Sequence, residues 1–147
     1  MRNVFTALVA AAALLTTLTG CARESGPSLA APAAWEQAQA GQLTLIDIRR
    51  PDEWRQTGVA RGALEINMQH PRGARGFVEQ VAAEVGGNRA APIGLICRTG
   101  NRTSHMQRVL ADAGFTNVTH IGEGMVGSRA GPGWLARGLP VEACKTC

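Results

Sequence analysis

The chain has 147 residues, 45% apolar and 18% charged, which suits one globular domain and excludes a disordered or low-complexity chain. Three Trp, three Phe and no Tyr leave little surface for stacking on bases. The formal net charge of +4 comes from scattered Arg and a single Lys, without the contiguous basic stripe of a nucleic-acid interface. A small anionic ligand fits better the one local pair, Arg98 and Arg102.

Residues 1–20 read as a targeting segment. Met1-Arg2-Asn3 is a short positive start, and Val4 to Leu18 is an Ala- and Leu-rich apolar stretch too short for a confident permanent span. It ends in Leu18-Thr19-Gly20-Cys21, which resembles the bacterial lipobox, where the Cys is acylated and the leader is cut before it. The resemblance implies a membrane anchor through Cys21 and a place in the cell envelope, facing the periplasm. Ala22 rather than Asp after the Cys favours the outer membrane in a Gram-negative source. Residues 21–34 are small, polar or Pro-containing and read as a tether.

From residue 35 to 142 the chain alternates strand and helix signals. Ala33 to Ala40 is a short helix stopped by Gly41. Leu43 to Asp47 is an apolar run of β-formers, hence a buried strand. Pro51 to Gln56 opens with Pro and two acids, as a first helical turn should, and Gly58 stops it. Ala63 to Ile66 is a short strand. Arg75 to Val85 puts Phe77, Val78, Val81, Ala82 and Val85 on one helical face before Gly86-Gly87. Ile93 to Cys97 is a second apolar strand, Thr103 to Ala113 a helix capped by Gly114, and Asn117 to Ile121 a third strand. A Gly-rich connection, Gly122 to Gly133, leads to a helical turn at Trp134 to Arg137, and Leu139-Pro140-Val141 ends the domain. This order predicts an α/β fold, a central parallel sheet flanked by helices in three layers. Ligands of such sheets sit outside the carboxyl ends of the strands, and Cys97 ends one.

Of the four Cys, Cys21 is assigned to lipid and Cys97 stands alone. Cys144 and Cys147, in the segment 143–147, can close a small disulfide in an oxidising compartment and form a possible redox pair. No His completes a metal site with them, and none follows Cys147 as haem attachment requires.

The chemistry concentrates in Cys97-Arg98-Thr99-Gly100-Asn101-Arg102, between a strand and a helix. Backbone N–H groups of such a loop point at the sulfur, and Gly100 lets the backbone curl without a Cβ. The helix dipole and two Arg favour the thiolate, the nucleophilic form.

This loop closely resembles the active-site loop of single-domain rhodaneses. Leu45 to Trp54, Gly58 with Gly62-Ala63, Ala113 to Val118, Gly122 to Met125 and Leu139 to Val141 resemble the family's other blocks, in order. The resemblance implies a Cys97 persulfide that takes sulfane sulfur from a donor such as thiosulfate and passes it to a thiol or other thiophilic acceptor. It implies anion contacts from Arg98 through Arg102, a supporting ion pair between Asp47 and Arg49, and neither metal nor organic cofactor. The second block carries Val59 where the family has His.

Two alternatives remain. One is a sulfur carrier or thiol redox relay, with Cys144 or Cys147 resolving the Cys97 persulfide. The other is a phosphatase or arsenate reductase, whose loops run one residue longer before the Arg; here that position is Thr103.

Overall fold

The computed structural model describes residues 26–147, so the leader, Cys21 and the first part of the expected tether lie outside it. Eleven elements follow in chain order among the described residues. They are β1 (Ser28–Leu29), α1 (Ala31–Gln39), β2 (Thr44–Asp47), α2 (Pro51–Thr57), β3 (Val59–Ala60), β4 (Leu64–Glu65), α3 (Gly73–Glu84), β5 (Ile93–Ile96), α4 (Asn101–Asp112), β6 (Val118–Ile121) and β7 (Val141–Glu142). A five-stranded sheet runs β1-β6-β5-β2-β4, and every pairing in it is parallel. β3 and β7 form a separate antiparallel pair.

Period-two alternation of buried side chains splits the core by face. Leu45, Ile96 and Ile121 meet Ala31 and Ala34 of α1, Trp54 of α2 and Trp134. Ile46, Ile93, Leu95 and Val118 meet Phe77 and Val81 of α3 and Met106 and Leu110 of α4. The strands read as continuous apolar runs because both faces are covered. The result is the three-layer α/β architecture predicted above.

Residues 28–34 depart from the expected tether. Ser28 and Leu29 pair with His120 and Ile121 at the sheet edge, and Ala31 and Ala34 are fully buried. Ala and Pro residues look linker-like in isolation, but here Pro32 sits in the first turn of α1, where its missing N–H costs nothing. The small side chains let α1 lie close on the sheet. Trp134 to Arg137 forms the expected helical turn, with Arg137 N–H donating to Gly133 O at 3.1 Å, and Gly138 N–H closes it onto Leu135 O at 3.0 Å. Trp134 packs edge-on against Trp35, with ring centroids 6.1 Å apart.

α2 starts as its sequence demands. Pro51 occupies the first turn, and the Glu53 carboxylate returns to accept from Arg50 N–H at 3.1 Å. α4 begins two residues earlier than its apolar stripe suggested, at Asn101, so Asn101 and Arg102 belong to its first turn. Gly100 precedes it in the left-handed region, φ 86° and ψ −18°.

Candidate active site

β5 delivers Cys97 to the carboxyl edge of the sheet, on the same face as Ile93 and Leu95. Its side chain is fully buried, packed with Ile48, Met106 and their neighbours. The loop after β5 folds over the sulfur. The Gly100 N–H points back at Sγ from 3.2 Å. This is the one loop amide that reaches the sulfur among the described residues, fewer than the ring expected. A donor molecule reaches Sγ only when covering atoms shift.

Two glycines allow this closure. A Cβ on Gly100 would stand 2.1 Å from the carbonyl oxygen of Gly122, and one on Gly124 would stand 2.5 Å from that of Arg98. The Gly122–Val126 stretch thus braces the loop from outside: Met125 N–H donates to Cys97 O at 2.8 Å and Val126 N–H to Arg98 O at 3.0 Å. The sequence marked this stretch only as a Gly-rich connection of a family block. Its contact with the loop is a long-range fact that no local spacing encodes.

The five residues after Cys97 do not act alike. The Arg98 side chain is exposed and makes no hydrogen bond or ion pair among the described residues, so it is available to an anion. Thr99 and Asn101 line an open polar cleft of about 840 Å³ beside the loop, together with Ser104, His120, Ser128 and Arg129. Arg102 is spent largely elsewhere. Its Nη1 and Nη2 donate to Glu53 Oε2 and Oε1 at 2.7 and 2.6 Å. This corrects its expected role as a free anion contact: it first clamps α4 to α2, leaving Nε and one hydrogen on each terminal nitrogen for substrate. The Arg102 hydrogen bonds lead in holding the Glu53 carboxyl below its usual range, against the opposing pull of burial. Glu53 in turn holds the Arg102 guanidinium above its own. Sequence reading missed Glu53, which looked like a first-turn acid only.

Asp47 and Arg49 form the supporting pair expected of them. Both are buried, with Arg49 Nη2 2.7 Å from Asp47 Oδ2 and Nε 2.9 Å from Oδ1. Nη1 donates to Thr57 Oγ1 at 2.8 Å and Nη2 to Gly58 O at 2.7 Å. The pair ties the end of β2 to the C-terminal end of α2, and makes no hydrogen bond with Cys97.

Cys144 and Cys147 are joined as a disulfide. Glu65 at the end of β4 accepts from the N–H groups of Lys145 and Thr146, both at 2.8 Å. Cys144 packs on the first core face and Cys97 on the second, so the fold does not bring the pair to the loop. Among the described residues, no group of three or more His, Cys, Asp or Glu converges as metal ligands would.

A parallel sheet whose central strand ends in a Cys, wrapped by a short loop against a helix start, defines a class of strand-end thiol proteins. The rhodanese-like domain model matches residues 30–130, and the chain belongs to that family. Three solved structures are similar to it. A thiosulfate sulfurtransferase from Pseudomonas aeruginosa is 25% identical, with a TM-score of 0.63 over 82% of this chain and 21% of that one. A homodimeric polysulfide-sulfur transferase from Wolinella succinogenes is 24% identical, with a TM-score of 0.59 over 82% and 80%. A protein described as a possible tyrosine phosphatase from Rhodopseudomonas palustris is 24% identical, with a TM-score of 0.55 over 79% and 84%.

Proposed function

We propose that the protein is a rhodanese-type sulfurtransferase that moves sulfane sulfur through a persulfide on Cys97. The observation that carries this reading is the enclosed sulfur: Gly100 N–H at 3.2 Å, with α4 starting at the next residue. A hydrogen-bond donor and a helix N-terminus aimed at one sulfur favour its anion.

In the first half-reaction the Cys97 thiolate attacks the sulfane sulfur of thiosulfate, and the S–S bond breaks. Sulfite leaves with the electron pair, and the outer sulfur stays as a persulfide. In the second half-reaction an acceptor thiolate attacks the outer sulfur. Cys97 departs as thiolate, and the acceptor carries the sulfur away. Two separable steps imply ping-pong kinetics. Arg98 draws the donor anion in, and Arg102 keeps the helix start in place through Glu53.

The phosphatase alternative fits less well. Arg102 lies one residue short of the longer phosphate loop and is engaged by Glu53. A loop one residue shorter suits a single sulfur atom better than a phosphoryl group.

The same reading places the domain in the cell envelope, tethered through acylated Cys21 and facing the periplasm, with the outer membrane favoured in a Gram-negative cell. Its partners are then a small anionic donor and a thiol or other thiophilic acceptor. Mass spectrometry of the protein after thiosulfate tests the chemistry. A gain of one sulfur on the peptide bearing Cys97 is expected. No gain, together with hydrolysis of a phosphate ester, would replace this reading with the phosphatase.

A further inference from the structure

The buried sulfur has a second polar neighbour besides the Gly100 N–H. Cys97 Sγ lies 3.8 Å from Thr103 Oγ1, and Thr103 is itself fully buried in the first turn of α4. That hydroxyl donates to Gly100 O at 2.8 Å in the present arrangement and stands 3.3 Å from His120 Nδ1. His120 comes from β6, two residues before the Gly-rich bracing stretch, and lines the 840 Å³ cleft. Three side chains from three elements therefore form one line from an enclosed sulfur to solvent.

We infer that Thr103 and His120 form a proton relay for Cys97, carrying the thiol hydrogen through the hydroxyl and imidazole into the cleft. This rests on the sulfurtransferase reading, because only a sulfur that must ionise needs the route. In the first step the Sγ–H bond breaks and its proton goes to Thr103 Oγ1. The hydrogen already on that hydroxyl swings from Gly100 O toward the imidazole and passes to His120 Nδ1, making an imidazolium. Nε2 then gives its hydrogen to water in the cleft. A thiolate, a Thr hydroxyl and a neutral imidazole with its hydrogen on Nδ1 remain. In that state His120 Nδ1–H donates to Thr103 Oγ1, and the O–H that Thr103 gained from the sulfur donates back to it. Gly100 O keeps the Ser104 N–H at 3.1 Å, so the swing strands no buried acceptor.

The surroundings suit the task. Burial pushes His120 below the usual imidazole range, which keeps it neutral and able to accept at neutral pH. The groups packed around it are Ser28 of β1, Thr103 of α4, and Ser128 and Arg129 of the connection after β6. Arg129 is the charged side chain in that cleft. Glu123 is turned to the other side, accepting from Ala31 and Gly133 amides and from Arg137. Among the described residues no carboxylate lines the cleft beside His120. His120 meets Thr103 Oγ1 at 3.3 Å, so in this relay it takes the proton from Thr103 and passes it to the cleft.

The test is the pH dependence of Cys97 ionisation in the full chain, read by ultraviolet thiolate absorbance against a Cys97→Ser blank. The persulfide loading rate from thiosulfate is followed in parallel. Loss of the hydroxyl in Thr103→Val, or of the imidazole that orients it in His120→Gln, is expected to cut the thiolate fraction about tenfold at mildly acidic pH. The deficit disappears at alkaline pH, and Thr103→Ser follows the wild-type curve. Overlapping curves for all four proteins, or a loss equal at every pH, would overturn the relay. Should His120→Gln fail to fold, Thr103→Val against Thr103→Ser decides by itself. A wild type that shows the ionisation difference yet gains no sulfur would refute the sulfurtransferase reading and leave the relay standing.

Discussion

Replacing Gly100 by Ala attacks the loop at its tightest point. Gly100 has φ 86°, where an L-residue with a Cβ costs about 1–2 kcal/mol. The added carbon would lie 2.1 Å from Gly122 O and 2.8 Å from Gly122 C, and a backbone carbonyl cannot rotate away as a side chain would. The loop must withdraw, which breaks the 3.2 Å N–H contact to Sγ. A hydrogen bond to a charged group contributes roughly 1.5–3 kcal/mol, so the two losses together approach about 3–5 kcal/mol. The urea midpoint should fall by roughly 1–2 M. Losing the donor to the sulfur anion should slow persulfide loading by about ten- to a hundredfold. Urea unfolding and thiosulfate loading measure the two effects separately. Wild-type midpoint and wild-type loading in Gly100→Ala would refute the claim that close approach of Gly100 to Gly122 builds the site.

Cys97→Ala should abolish sulfur gain after thiosulfate; turnover equal to wild type would end the persulfide mechanism. Arg102→Ala should lower kcat/KM for thiosulfate and cost about 1–3 kcal/mol, because Glu53, almost fully buried, loses both Arg donors. Because Glu53 titrates below its usual range in the fold, its contribution is present above about pH 4.3 and is lost as pH falls through the lower folded value. Acid unfolding should therefore show a smaller pH-dependent loss from that group in Arg102→Ala than in wild type, and an unchanged acid slope would show the clamp to be inert. Asp47→Asn should destabilise by about 3–5 kcal/mol, since it leaves Arg49 charged and buried without its carboxylate partner, which calorimetry can check. Cys144→Ser combined with Cys147→Ser should leave turnover with dithiol acceptors intact, as the disulfide lies on the face away from Cys97; a large loss would revive the relay through that pair.

Much of the site was legible because its residues are neighbours in the chain. Cys97 through Arg102 form one stretch, and a strand signal before it and a helix stripe after it locate the sulfur at a sheet edge. Asp47 and Arg49 were also readable, two positions apart at the end of a strand. Glu53, Thr103, His120 and Glu123 were not, because their roles depend on partners far along the chain. Glu53 meets a residue 49 positions away, and Glu123 one 92 positions away. Periodicity reports which face a residue takes, but not which distant group waits there. The tether boundary failed for the same reason: Ala31 and Ala34 become core only because β6 and the sheet exist to cover them.

Alternation of apolar strands and amphipathic helices, together with glycines at the turns, was enough by itself to specify a parallel α/β sheet and to put a nucleophilic sulfur at its carboxyl edge. These are short-range properties, set by side-chain period and backbone sterics. Tertiary structure alone decided that the sulfur is enclosed rather than exposed and that Arg102 braces Glu53. It alone sets a hydroxyl and an imidazole between Cys97 and solvent. Each of these depends on packing separate elements to within a hydrogen-bond length, and only the closed fold sets such distances.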